Sequence, residues 1–312
     1  MSLKQIWRLL KETFKEWNDD KASRLAAALS YYTIFSLAPL LIIAIAIAGA
    51  VFGDEAASGE IVRQIQGLVG RDGAEVIQTA LQNAQKPDTR NIASIISIAI
   101  LLFGASNVFA QIQDALNTIW EVQPKPGRNI WQTLRKRFLS FAMVGGVGFL
   151  LLVSLIVNTT LTAMVNYFSG LLPGFDFLWQ IANFIISFAV ITLLFALIYK
   201  VMPDAKIAWN DVWIGSAITS LLFVIGKYLL GLYLGNGSFG SAYGAAGSLI
   251  VLLAWINYAA QIIFFGAEFT QVYASKYGSH IVPDENSMRV PEIDRAKQGM
   301  KRRNSPRKLN YL

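Results

Sequence analysis

Apolar residues gather in six blocks along this 312-residue chain, at 29–52, 92–110, 138–158, 178–199, 212–234 and 247–269. Each block offers roughly the twenty residues that carry an α-helix across the hydrocarbon core of a bilayer. The pattern predicts an all-α, polytopic membrane protein with six transmembrane helices. Ahead of the first block, Leu3, Ile6, Trp7, Leu10, Phe14 and Trp17 recur at three- and four-residue spacing, with Lys and Glu between them. That is the signature of an amphipathic helix lying in the membrane interface; a helix that binds a partner is the alternative. Residues 18–20 offer a cap for the helix that follows. Pro39 lies inside the first span and predicts a kink. The first block is too long for a signal-peptide core, so it reads as a retained span.

The connections carry their own signals. Residues 53–91 are polar and turn-rich, yet Ile61, Ile65, Leu68, Val69, Val76, Ile77 and Leu81 follow helical spacing, which predicts a small external segment with one amphipathic helix. The helical pattern of the second block continues to Trp120 and is stopped by PKPG at 124–127. Beyond Tyr277 the chain is polar and ends in basic clusters, so 278–312 reads as a disordered basic tail. Three regions result: an amphipathic segment at 1–28, a membrane domain at 29–277 and the tail.

Composition supports the membrane reading. The chain is 54% apolar and 15% charged, against about 25% charged residues in an ordinary soluble domain. A net charge of +7 would suggest nucleic acid in a soluble protein; here it is explained by bases flanking the cytoplasmic ends of spans. With the N-terminus inside, Lys and Arg number six in 1–28, five in 111–137, two in 200–211 and nine from 276 onward, against four in 53–91. Both termini are therefore expected in the cytoplasm.

Candidate chemistry is narrow. There is no cysteine, and the single histidine, His280, lies in the tail. No histidine-based metal cluster or Ser-His-Asp triad can be assembled in the membrane domain, and the carboxylates are scattered. An enzyme is not expected, nor a metal, a cofactor or a nucleic-acid partner.

Polar residues inside the spans are more informative, because they are costly in hydrocarbon and usually face a bundle interior or an aqueous cavity. Asn107, Gln111, Asp114 and Thr118 share one face of the second helix. Asn107 and Gln261 lie 15 and 14 residues from the starts of their spans, and Asp114 and Glu268 lie 22 and 21. At about 1.5 Å per residue, each pair sits at similar depth. One reading is a cytoplasm-facing polar cavity lined by spans 1, 2 and 6, with Arg24 as counter-charge to Asp114 or Glu268. The other is that Asn and Gln tie helices together and the carboxylates mark wet helix ends. Lys227, in the outer half of span 5, either snorkels to the interface or serves a site beneath the glycine-rich stretch at 235–247.

Several motifs together resemble a known family. They are ASRLAAALSYYT at 22–33 with LAP at 37–39, MP at 202–203 with WNDVW at 209–213, and YGAAGS at 243–248 with Trp255, Gln261 and GAEFT at 266–270. The chain resembles the YihY/virulence factor BrkB family of bacterial inner-membrane proteins over about residues 1–277. The resemblance implies a multi-pass, six-helix inner-membrane protein with cytoplasmic termini. The family was once taken for a transfer-RNA-processing ribonuclease, an assignment that did not hold, and it passes on no catalytic residues. The expected function is a transporter- or permease-like role in envelope maintenance, on a lipid or a small anion. Arg24, Asn107, Asp114, Gln261 and Glu268 would serve the inner cavity and Lys227 an outer site. The rival is a non-catalytic scaffold that recruits envelope partners. Expected partners are membrane lipids, with further copies of the chain or envelope proteins beyond them.

Overall fold

A computed structural model describes residues 3–53, 58–59, 61–63, 66, 74–79, 81, 92–126, 175–235, 245–291, 294–295 and 300. The expected span at 138–158, most of the glycine-rich stretch and residues 301–312 lie outside the described residues.

Helix α1 (Leu3–Asp19) and helix α2 (Ala22–Phe52) meet at a tight turn in which Lys21 takes a left-handed conformation, φ 56°. The expected cap does not form: no side chain caps α2, and Asp20 turns instead to Arg295. α2 passes through Pro39 as one helix of 31 residues. It stops at Gly53, whose φ of 84° suits a residue without a side chain and lets its N–H bond the Gly49 carbonyl. Helix α3 (Ile92–Ile119) leads into β1 (Val122–Pro124). Helix α4 (Phe175–Val201), β2 (Ala205–Lys206) and helix α5 (Trp209–Gly235) form a hairpin. Helix α6 (Ala245–Lys276) is followed by β3 (Val282–Pro283) and β4 (Ser287–Arg289).

Helix α6 sits at the centre, with α1, α2, α3 and α5 packed around it and α4 packed on α5, reaching α6 through the Tyr199 hydroxyl. Small residues set its closest approach. A methyl group at Gly215 of α5 would fall 1.8 Å from the Thr270 hydroxyl of α6, and one at Gly266 of α6 would fall 1.8 Å from the Thr219 hydroxyl of α5. Thr219 bonds the Gly215 carbonyl and Thr270 bonds the Gly266 carbonyl, so each hydroxyl is satisfied within its own helix. With Gly226 against Tyr258, these contacts fix α5 and α6 as antiparallel neighbours. Glycine there lets dispersion contacts replace a hydrophobic drive that lipid does not supply.

The stretches Phe184–Val201, Trp209–Leu230 and Leu249–Lys276 are long and apolar enough to cross a membrane, judged by length and composition. Their outer surfaces are apolar too: Phe184, Ile185, Leu221, Ile225, Leu229 and Leu253 are all exposed. Such a surface suits hydrocarbon and would be a liability in water.

Two connections are more structured than their polarity suggests. In the 53–91 segment, residues 61–63 and 74–79 are helical. Its Ile61, Ile77 and Leu81 are buried in one cluster with Ala44 and Ile45 of α2 and Leu252 and Trp255 of α6. The tail expectation needs a larger correction. Residues 278–291 do not behave as a disordered tail; β4 pairs antiparallel with β1 and β3 with β2. The strands hold because side chains anchor them: Asp211 accepts bonds from the Ser279 backbone and hydroxyl, and Arg295 is buried. The result is a clasp over the end of the bundle where α3 and α6 finish and α2 and α5 begin.

Candidate functional site

The polar residues of α6 occupy one side of the helix. Asn257, Gln261 and Glu268 are spaced i, i+4 and i+11, which places them along a common stripe. Tyr258, Gly266 and Thr270 lie on the side that meets α5. The stripe is directed toward α2: Asn257 Nδ2 donates to Ser30 Oγ at 3.3 Å, and Ser30 in turn donates to the Ala26 carbonyl at 2.6 Å. Gln261 Nε2 donates to Asn257 Oδ1 at 2.8 Å. A neutral chain of amide and hydroxyl groups thus runs from α6 into α2. Ala26 is fully buried there, and Ala260 and Ala267 of α6 belong to the same core, so α2 and α6 meet over small side chains.

Glu268 lies two turns beyond Gln261 and is fully buried. α6 continues about two further turns beyond it, to Lys276. Asp114 behaves differently. It is exposed on α3. Asn107 is half-buried on α3, and α3 packs against both α2 and α6. Helices α2, α3 and α6 are therefore mutual neighbours. Arg24 is exposed, and among the described residues it forms no ion pair with Asp114 or Glu268. Lys227 is exposed on α5 beside Tyr228 and Leu229, on the apolar outer surface. That position suits snorkelling; residues 236–244 of the glycine-rich stretch lie outside the described residues.

Sequence reasoning missed a second polar cluster at the clasp. Asp204, in the turn after α4, accepts a bond from Gln113 Nε2 at 2.9 Å, while its backbone N–H donates to Asn117 Oδ1 at 2.8 Å. The face of α3 that bonds this turn is thus Gln113 and Asn117, one residue around from Asp114 and Thr118. Arg295 pairs with Asp20 at 2.6 Å and with Glu121 at 3.0 Å, joining the α1–α2 turn, the α3–β1 turn and the C-terminal segment. Asp211 had a signal, since it lies in the WNDVW motif; Arg295 sits in a polar run that nothing in local spacing distinguishes. Among the described residues, no three of His, Cys, Asp and Glu converge to hold a metal ion.

This arrangement can be set beside known proteins. The family model described as Virulence factor BrkB matches residues 13–291. The chain belongs to the virulence factor BrkB family. Similar relatives include a UPF0761 membrane protein of Teredinibacter turnerae, 26% identical over 87% of this chain and 61% of that protein. Another, from Verminephrobacter eiseniae, is 28% identical over 85% of this chain and 62% of its own length. A third, from Mannheimia succiniciproducens, is 25% identical over 86% of this chain and 90% of its own length. The chain spans about three-fifths of the length of the first two relatives. No solved structure matches it. The BrkB match reaches through β4, so the four strands of the clasp fall within the family region, and Arg295 lies just beyond it. The chain is a membrane protein.

Proposed function

We propose that this BrkB-family protein is a transporter- or permease-like protein of the bacterial inner membrane. It would cross the bilayer six times with both termini in the cytoplasm and act in envelope maintenance on a lipid or a small anion. The observation that carries this reading is Glu268, a fully buried carboxylate in a helix apolar enough to span a membrane. Its stripe continues through Gln261 and Asn257 to Ser30 of α2. Ionisable residues inside spanning helices are retained at a cost in stability, and transport pathways and proton relays are where that cost is most often met. Asn107 and Asp114 extend the same region onto α3. Arg24 and Lys227 belong on the bundle's outer surface in this reading, as interface anchors. No catalytic role is assigned.

A scaffold reading rests on a different observation. The amides of Asn257 and Gln261 are engaged with Ser30 and with each other, which is how helices are tied together in lipid. The two readings part at Glu268. In cells whose envelope phenotype depends on this protein, Glu268→Gln should abolish complementation while the protein remains inserted and thermally stable. Single cysteines at 107, 261 and 227 add an independent readout, since the chain has none of its own. Labelling of 107 and 261 by a membrane-impermeant maleimide from the cytoplasm supports a water-filled path. A harmless Glu268→Gln with both positions unlabelled would move the scaffold reading to first place.

A further inference from the structure

We propose that the outer face of α1 is a docking surface for anionic phospholipid headgroups. This does not depend on the transport reading. α1 divides its charges between two sides. Leu9 and Thr13 are buried, with Leu9 against Phe269 and Val272 of α6. The acidic residues lie toward this packed side: Glu16 is buried and Glu12 pairs with Lys276. Trp7 and Phe14 point the other way, 71% and 61% exposed. Lys4, Arg8, Lys11 and Lys15 are exposed too, at spacings of three, four and seven residues that set them beside the two aromatic rings. Asp19 lies 4.0 Å from Lys15, and Glu12, one turn from Arg8 and Lys15, is engaged by Lys276.

Position selects the occupant. α1 packs along the last turns of α6, whose spanning stretch ends at Lys276, so its free face lies where hydrocarbon gives way to headgroups. Aromatic rings sit well at that boundary, and clustered bases beside them attract anionic lipid. A second copy docked symmetrically on this face would set the same four bases against each other, which charge repulsion disfavours.

The test uses the full chain in nanodiscs containing equal amounts of phosphatidylglycerol and phosphatidylcholine. Phe14→Cys carries a fluorophore, and a small fraction of one lipid or the other carries a nitroxide quencher. Quenching by labelled phosphatidylglycerol should exceed that by labelled phosphatidylcholine by about twofold or more. The preference should vanish when Lys4, Arg8, Lys11 and Lys15 are changed to Gln, and also in high salt on the native bases. Leu229→Cys, on the apolar surface of α5, should be quenched equally by both lipids. Equal quenching at position 14 would overturn the proposal, leaving apolar contact without headgroup selection. Absence of quenching there, with position 229 responding, would overturn it in favour of water or a protein partner.

Discussion

The polar stripe of α6 and the clasp beneath it solve one problem by different means. Both hold polar side chains in packed protein by bonding them to one another. Between Ser30, Asn257 and Gln261 the solution is neutral: amides and a hydroxyl bond to one another across helices that approach over alanine. At the clasp the solution is ionic: Arg295, 4% exposed, holds Asp20 and Glu121 together, with strand pairing on either side. The contrast follows from the surroundings. A neutral network deep in a membrane costs little when incomplete, because unfolded segments in lipid find other partners. A buried ion pair is costly when broken, because each charge is left without compensation. Disruption should therefore hurt far more at the clasp than in the stripe.

The strongest way to break that comparison is Arg295→Ala. It takes the buried guanidinium away from Asp20, itself fully buried, and should cost about 3–5 kcal/mol. A thermal unfolding curve of the detergent-solubilised protein would show a large drop in midpoint. Asp20→Asn in the same background should recover part of it by removing the charge that Arg295 faced. If Arg295→Ala leaves the midpoint unchanged, the clasp does not support the bundle and the ionic half of the contrast fails.

Next in size is Gly266→Ala, which tests the α5–α6 seam beside the stripe. The added methyl would meet Thr219 Oγ1 at 1.8 Å and the Tyr199 hydroxyl at 2.6 Å, so the helices must separate. Overpacking of this kind typically costs about 1–3 kcal/mol. Thr219→Ala removes the opposing hydroxyl, and the double variant should unfold at a higher midpoint than Gly266→Ala alone. No recovery in the double variant would place the strain elsewhere.

How much of this was legible in the sequence follows from the range of the forces involved. Helices written by long apolar blocks were readable, since span-length hydrophobicity is a local property: 92–110 with its continuation became Ile92–Ile119, and 178–199 became Phe175–Val201. The stripe was half-legible. Asn257, Gln261 and Glu268 stand out against apolar neighbours, but Ser30 as the partner of Asn257 is separated from it by 227 positions. The clasp was illegible. Strands of two and three residues have no periodicity to detect, and β4 reads as polar until β1, far back in the chain, pairs with it. Arg295 looks like any other base in a basic tail. Its burial is decided by Asp20, 275 positions away. The pairing Arg24–Glu268 failed for the converse reason: depth can be counted along a helix, but rotation about its axis cannot, and Arg24 turns outward.

A smaller effect sharpens the neutral half of the contrast. Asn257→Ala removes the bond to Ser30 and the acceptor for Gln261. In a membrane such a deletion averages about 0.6 kcal/mol, so the unfolding midpoint should move only slightly. Function is the more telling readout. If the stripe is a transport path, Asn257→Ala should impair complementation out of proportion to its effect on stability. If it is helix glue, the two losses should stay in proportion.

Lys227→Gln should have the smallest effect of all. The side chain is exposed on the apolar surface of α5 beside Tyr228, which is 70% exposed, so it has room to reach a headgroup and little protein to lose. Thermal stability and complementation should both match the parent protein. A loss of complementation at unchanged stability would instead mark position 227 as part of a second site on the far side of the bundle. The contrast between the stripe and the clasp would then gain a third member, a lone charge that the bundle does not bury and whose partner would have to come from outside it.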